Sequence, residues 1–195
     1  IPLDLSLALH TDAGTTKNDS VIGTLGIFTV GKGNGKSYNN KVSRWASRDL
    51  TDIIQTQIVE DIRMSFNDSW IRRGLWNKSY YEARVPEIPT MLLELLSHQN
   101  YADMKLGLDP RFQFLVSRSI YKGILKYLSA LNDEEDYMVQ PLPIRQFSCI
   151  FVDKNKVKLR WKTRMDSLEP SAVAEHFVVY TRIDDGDFDN GVLVS

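Results

Sequence analysis

A single cysteine, Cys149, stands in 195 residues, so no disulfide framework inside the chain holds the fold together. No apolar run approaches the length of a membrane-spanning helix, and no signal-peptide pattern opens the chain. Neither sign of charge dominates. With 24 Lys and Arg against 25 Asp and Glu the net charge is −1, which gives no bulk attraction to nucleic acid or to an anionic membrane. Histidine is scarce as well: only His10, His98 and His176 are present. What remains is ordinary globular material, 43% hydrophobic and 25% charged, enough for one large domain or two small ones. The chain opens on an apolar strand without an initiator Met and closes on another, GVLVS, so both ends read as cut from something longer.

The most informative stretch is PTMLLELLSHQN, residues 89–100. A short, bounded apolar run of this kind reads as a strand buried on both faces, as in parallel sheets. It carries one carboxylate, Glu94. A buried unpaired carboxylate costs several kcal/mol or forces its pKa upward, so it needs a partner or a purpose. The plain alternative is a strand-end Glu that reaches solvent or a nearby Arg. A second apolar segment, LDLSLALH, ends on His10 and is followed by TDAG. Two parallel strands that each deliver a functional side chain near the C-terminal end are how open α/β sheets build sites. If strands 3–9 and 90–96 run parallel, His10 and Glu94 face one cleft.

Between these ends the pattern alternates. VIGTLGIFTV, residues 21–30, is β-branched and Gly-rich and predicts a strand. From about Asn40 to Phe66, Val42, Ala46, Leu50, Ile53, Ile54, Ile58 and Ile62 recur at helical spacing. Residues 69–89 read as irregular and aromatic. Asn100 with Asp103 predicts a capped short helix, and Asp109–Pro110 predicts the start of a helix running to about Leu131. Residues 134–143 turn acidic and then proline-rich, the composition of a linker. Beyond them Val157, Leu159 and Trp161 alternate with Lys and Arg, and HFVVYTR forms a second half-buried strand. The expected fold is therefore α/β, a mostly parallel sheet flanked by helices over residues 1–133. A partial all-β sandwich segment follows over residues 144–195.

Two patterns bear on chemistry. GKGNGKS follows a strand and precedes a helix, but a phosphate-binding loop needs a Gly at position 30, where Val30 stands. The spacing is one residue short, and solvated turns share this composition. His10 and Glu94 suit a hydrolytic zinc site better. Such a site takes three protein ligands and leaves a position for water, and a carboxylate outside the ligand set moves protons. His10 is the candidate metal ligand and Glu94 the candidate general base. A lone His after a strand is also compatible with a purely structural role.

LSLALHTDAG resembles the S-I-H-A-N-A segment of the zinc-dependent N-acetylmuramoyl-L-alanine amidases. PTMLLELLSHQNYADMKLGLDPRFQFLVSRSIYKGILKYL resembles that family's closing segment in order and spacing, and RRGLWNKSYYEARVPEIP resembles the connection before it. The resemblance covers roughly residues 3–130. It implies a peptidoglycan amidase with a zinc held by His, Glu and His. His10 matches the second of those histidines and Glu94 the catalytic Glu. The other two ligands lie, in that family, on segments before the one matched by the start of this chain. His98 follows Glu94 too closely to replace them and reads as a surface residue, and His176 belongs to the β segment. Asp12 stands where the family has Asn, and Leu96 where it has Gly.

VKLRW, with Trp161, and EHFVVYTRIDDG resemble the second and third strands of a fibronectin type III domain. The resemblances together imply a secreted bacterial cell-wall hydrolase, periplasmic or extracellular, acting on peptidoglycan or a related glycopeptide. The alternative is a non-catalytic relative that uses the same fold to bind cell-wall glycan or peptide.

Overall fold

The computed structural model describes residues 3–13, 23–31, 36–134 and 136–194. It divides into two compact units, residues 1–137 and 138–195.

The first unit is built on a four-stranded sheet. Its strands are β1 (Ser6–Asp12), β2 (Thr24–Phe28), β3 (Arg72–Asn77) and β4 (Thr90–Ser97), in the order β1-β4-β2-β3. β1 and β4 are parallel, as are β2 and β3, but the join between β4 and β2 is antiparallel. The sheet is therefore mixed. The expectation of a strand over 21–30 is met by β2 over five of those residues, while Val21 and Ile22 lie outside the described residues. Residues 69–89, read as irregular, contain β3 and a four-residue helix α2 (Tyr81–Arg84).

Helix α1 (Ala46–Ser65) starts six residues later than its apolar spacing suggests. Ahead of it, Lys41 adopts φ 69° and Ser37 bridges Ser43, a turn that helical periodicity cannot reveal. α3 (Tyr101–Gly107) and α4 (Pro110–Leu131) begin where expected. The Asn100 side chain accepts from the Asp103 amide, and Asp109 accepts from the Arg111 amide with Pro110 at the first turn.

Alternation along the strands sorts the core into two layers. Met91 and Leu93 join Leu50, Ile54, Ile58 and Phe112 in the core beneath α1 and α4. Leu92 turns the other way and joins Leu25, Ile27 and Ala83 beneath α2. Gly123 of α4 lets the two long helices close: a Cβ there would meet the Ile54 Cα at 2.9 Å. Alanine gains about 1 kcal/mol of helix propensity over glycine. Overpacking costs about 1–3 kcal/mol, so the clash outweighs the propensity. Gly123→Ala is expected to lower the urea midpoint, and a raised midpoint would show that α1 and α4 separate freely.

The second unit pairs β5 (Arg145–Asp153) with β6 (Lys156–Lys162), and β7 (Phe177–Val179) with β8 (Val192–Val194), both antiparallel. Trp161 on β6 meets Phe177 on β7 edge to face, with ring centroids 5.2 Å apart.

Candidate active site

The site begins with register. His10 on β1 pairs with Glu94 on β4, and Glu94 pairs on its other side with Leu25 on β2. Cross-strand partners project to the same side of a sheet, so the imidazole and the carboxyl share the α2 face near the C-terminal ends of two parallel strands. Immediately beyond the pair the ladder slips by one residue, and Thr11 pairs with Leu96. Leu96 consequently turns into the core beneath α1 and α4. Its side chain is thus carried away from Glu94.

Three more charged groups complete the surroundings. Glu82, on α2, brings its Oε2 to 2.7 Å from His10 Nε2. Arg73, on β3, donates from Nη1 to Asp12 Oδ2 at 2.7 Å. Asp12 is therefore paired with a guanidinium. Glu94 itself is half-buried, and its Oε2 has no hydrogen-bond partner among the described residues. Burial pushes its carboxyl above the ordinary value. His10 is the strongest opposing influence, Asp12 and Glu82 add to the rise, and Arg73 works against it. A carboxyl held this way passes between its two protonation states nearer neutral pH, as a general base that later acts as an acid requires.

The sign for stability follows. Between its ordinary value of 4.5 and its higher folded value, Glu94 holds a proton in the folded chain that the unfolded chain has lost. Its contribution is fully present below pH 4.5 and is lost as pH rises through the folded value. Asp103 is also raised by burial, so wild type must be compared with Glu94→Gln to isolate Glu94. Urea denaturation across this range is expected to give a shallower decline in the Gln variant. Parallel curves would show that Glu94 is not desolvated.

His98 is exposed, and its Nδ1 lies 3.3 Å from Thr11 Oγ1. His176 is exposed in the second unit. Of the GKGNGKS loop, residues 32–35 lie outside the described residues, and with them the nucleotide-loop reading. Glu82 and Arg73 escaped sequence reasoning because neither sits in an apolar pattern or a spaced motif.

A zinc centre needs three protein ligands. Among the described residues no group of three His, Cys, Asp or Glu side chains is placed to hold a metal ion. His10 Nε2 is instead turned onto Glu82. The described residues do not by themselves fit a zinc centre. Nor is any helix among them long and apolar enough to cross a membrane.

A mixed α/β sheet flanked by helices, with a His and a Glu in register at the ends of adjacent parallel strands, defines the class. The chain belongs to the N-acetylmuramoyl-L-alanine amidase family, which matches residues 2–126. Among solved structures it is similar to the N-acetylmuramoyl-L-alanine amidase from Clostridium difficile 630, at 17% identity and a TM-score of 0.52, covering 65% of this chain and 59% of that one. It is also similar to the CwlD amidase from Clostridioides difficile, solved in complex with the GerS lipoprotein. There the identity is 22% and the TM-score 0.50, over 65% of this chain and 55% of that one. The catalytic domain of CwlV, an amidase from Bacillus (Paenibacillus) polymyxa var. colistinus, gives 17% identity and a TM-score of 0.50, over 65% of this chain and 58% of that one. The chain spans somewhat over half the length of these structures, and at such identities the likeness is one of fold. No curated protein sequence matches the chain.

Proposed function

We propose that the first unit serves hydrolysis of the amide between N-acetylmuramic acid and L-alanine in peptidoglycan, with Glu94 as the proton-transfer residue. The observation that carries this is the in-register pairing of Glu94 with His10, in a chain of the amidase family. Glu94 takes a proton from the attacking water and returns it to the departing alanine nitrogen, so its raised carboxyl value matches both halves of the task. Arg73 holds Asp12 in place beside it, and Glu82 fixes the orientation of the His10 ring. Were a zinc ion bound, His10 would supply one imidazole to it, and two further protein ligands would have to come from outside the described residues. The protein works outside the cytoplasm, where its substrate is, and the second unit is a fibronectin-like spacer.

The test uses the protein as its cell makes it, on purified dye-labelled peptidoglycan. Dye release is expected, and His10→Ala is expected to abolish it and to lower the zinc content of the folded protein. Unchanged zinc content and release in that variant would remove His10 from this role. A protein that binds the polymer but never releases dye, with zinc supplied, would favour the binding relative.

A further inference from the structure

The sheet face that carries Glu94 and His10 continues past the pair. Leu92 of β4 pairs with Ile27 of β2, and Ile27 pairs with Trp76 of β3. Partners in register project to one side, so the Trp76 indole lies on the Glu94 face. Two strand spacings across and two residues along place its backbone about 12 Å from that of Glu94. Trp76 is 42% exposed. The chain then passes through exposed Asn77, Lys78 and Ser79 to Tyr80 and Tyr81, which are 50% and 70% exposed. Tyr81 immediately precedes Glu82, whose carboxylate reaches His10. The Arg84 guanidinium sits 5.8 Å from the Tyr81 ring centre.

Three aromatic side chains are thus left in water over a six-residue stretch, although burying them would have been favourable. Exposed polar residues accompany them along the chain, with Asn77, Lys78 and Ser79 between Trp76 and Tyr80 and Glu82 directly after Tyr81, unlike the composition of the dry centre of a protein interface. Ala83 is the only buried residue of α2. Separate aromatic planes set among polar groups suit a ligand that is itself amphiphilic at that scale. A sugar ring is such a ligand, with C–H groups on its faces and hydroxyl and amide groups around its rim. An aromatic with a polar neighbour meets both kinds of surface.

We propose that Trp76, Tyr80 and Tyr81, with Arg84, form a subsite for a chain of N-acetylated amino sugars that leads to the Glu94–His10 pair. The subsite deepens the amidase reading and rests on it for its direction toward Glu94. It holds the glycan while the amide that branches from it lies at the carboxyl.

The probe is chitohexaose, a peptide-free N-acetylglucosamine oligomer, titrated into the protein and followed by calorimetry. It has no scissile muramoyl amide, so its binding is read independently of hydrolysis. Saturable binding is expected. Trp76→Ala is expected to weaken it about tenfold, the scale of one lost aromatic contact, and Tyr81→Ala by less. Trp76→Phe retains most of the affinity, which separates stacking from misfolding. Phe114→Ala, on α4, leaves it unchanged. Absent binding, or equal affinity in wild type and Trp76→Ala, would overturn the subsite while leaving dye release from peptidoglycan untouched. A sugar-free stem peptide that binds through Trp76 when chitohexaose does not would also overturn it.

Discussion

Glu94→Gln is expected to lower turnover of the muramoyl–alanine amide by roughly two to four orders of magnitude, the scale lost when a positioned proton-transfer group is removed. Gln keeps the shape and much of the hydrogen-bonding capacity of Glu but accepts no proton. Substrate binding should change little, because the carboxyl acts on the transition state, so the loss falls on kcat rather than KM. The direction of the stability change is equally diagnostic. Glu94 is a desolvated carboxyl with an orphaned buried oxygen, so its ionised form weakens the fold at neutral pH. The Gln variant should therefore be as stable as wild type or more so. A variant with lower Tm and unchanged activity per folded molecule would make Glu94 structural and end the catalytic assignment.

The second large effect lies between the long helices. Asp61 of α1 is buried, and its carboxylate receives Lys122 Nζ at 2.9 Å, Ser119 Oγ at 2.7 Å and Gln57 Nε2 at 3.0 Å. The Lys122 side chain is 1% exposed. Asp61→Ala leaves that ammonium buried without its counter-charge, which costs about 3–5 kcal/mol. Total stabilities are about 5–15 kcal/mol, so the single variant is expected to lose most of its folded population or a large part of its urea midpoint. Removing both charges, as Asp61→Leu with Lys122→Met, is expected to restore stability to near wild type, because neither ion is then stranded. A double variant as weak as Asp61→Ala would show that the network holds α1 to α4 through more than its charges. Either result concerns the scaffold, which fixes β4 and hence Glu94.

Glu94 was legible because one carboxylate stands among Met91, Leu92, Leu93, Leu95 and Leu96, where an ion has no cheap place. The starts of α3 and α4 were legible because Asn100 and Asp109 cap by local hydrogen bonds that sequence spacing encodes. The parallel pairing of β1 with β4 was legible from their two apolar runs, and two of the sheet's three joins are parallel, as a mostly parallel sheet requires. The antiparallel join of β2 to β4 was not legible, because β2 is buried along its whole length and a strand's burial pattern reads the same in either direction. β3 stayed hidden for a related reason. Its first residues are Arg72, Arg73 and Gly74, and the two arginines are accommodated by Asp52 and Asp12 from elsewhere in the fold. Glu82 was invisible because its meaning depends on a four-residue helix that places it against a residue 72 positions earlier. Pairings of that range are tertiary facts, and no local pattern announces them.

The central claim is that Glu94 moves the proton in cleavage of one particular bond. The most direct measurement is mass spectrometry of the products released from purified peptidoglycan by the protein as its cell makes it, beside its Glu94→Gln variant. Wild type is expected to release intact stem peptides with a free L-alanine amino terminus and to leave glycan strands uncut. The variant, folded and still bound to the polymer, is expected to release at most about a hundredth as much. Peptides cut elsewhere, cut glycan strands, or equal release by the variant would contradict the account.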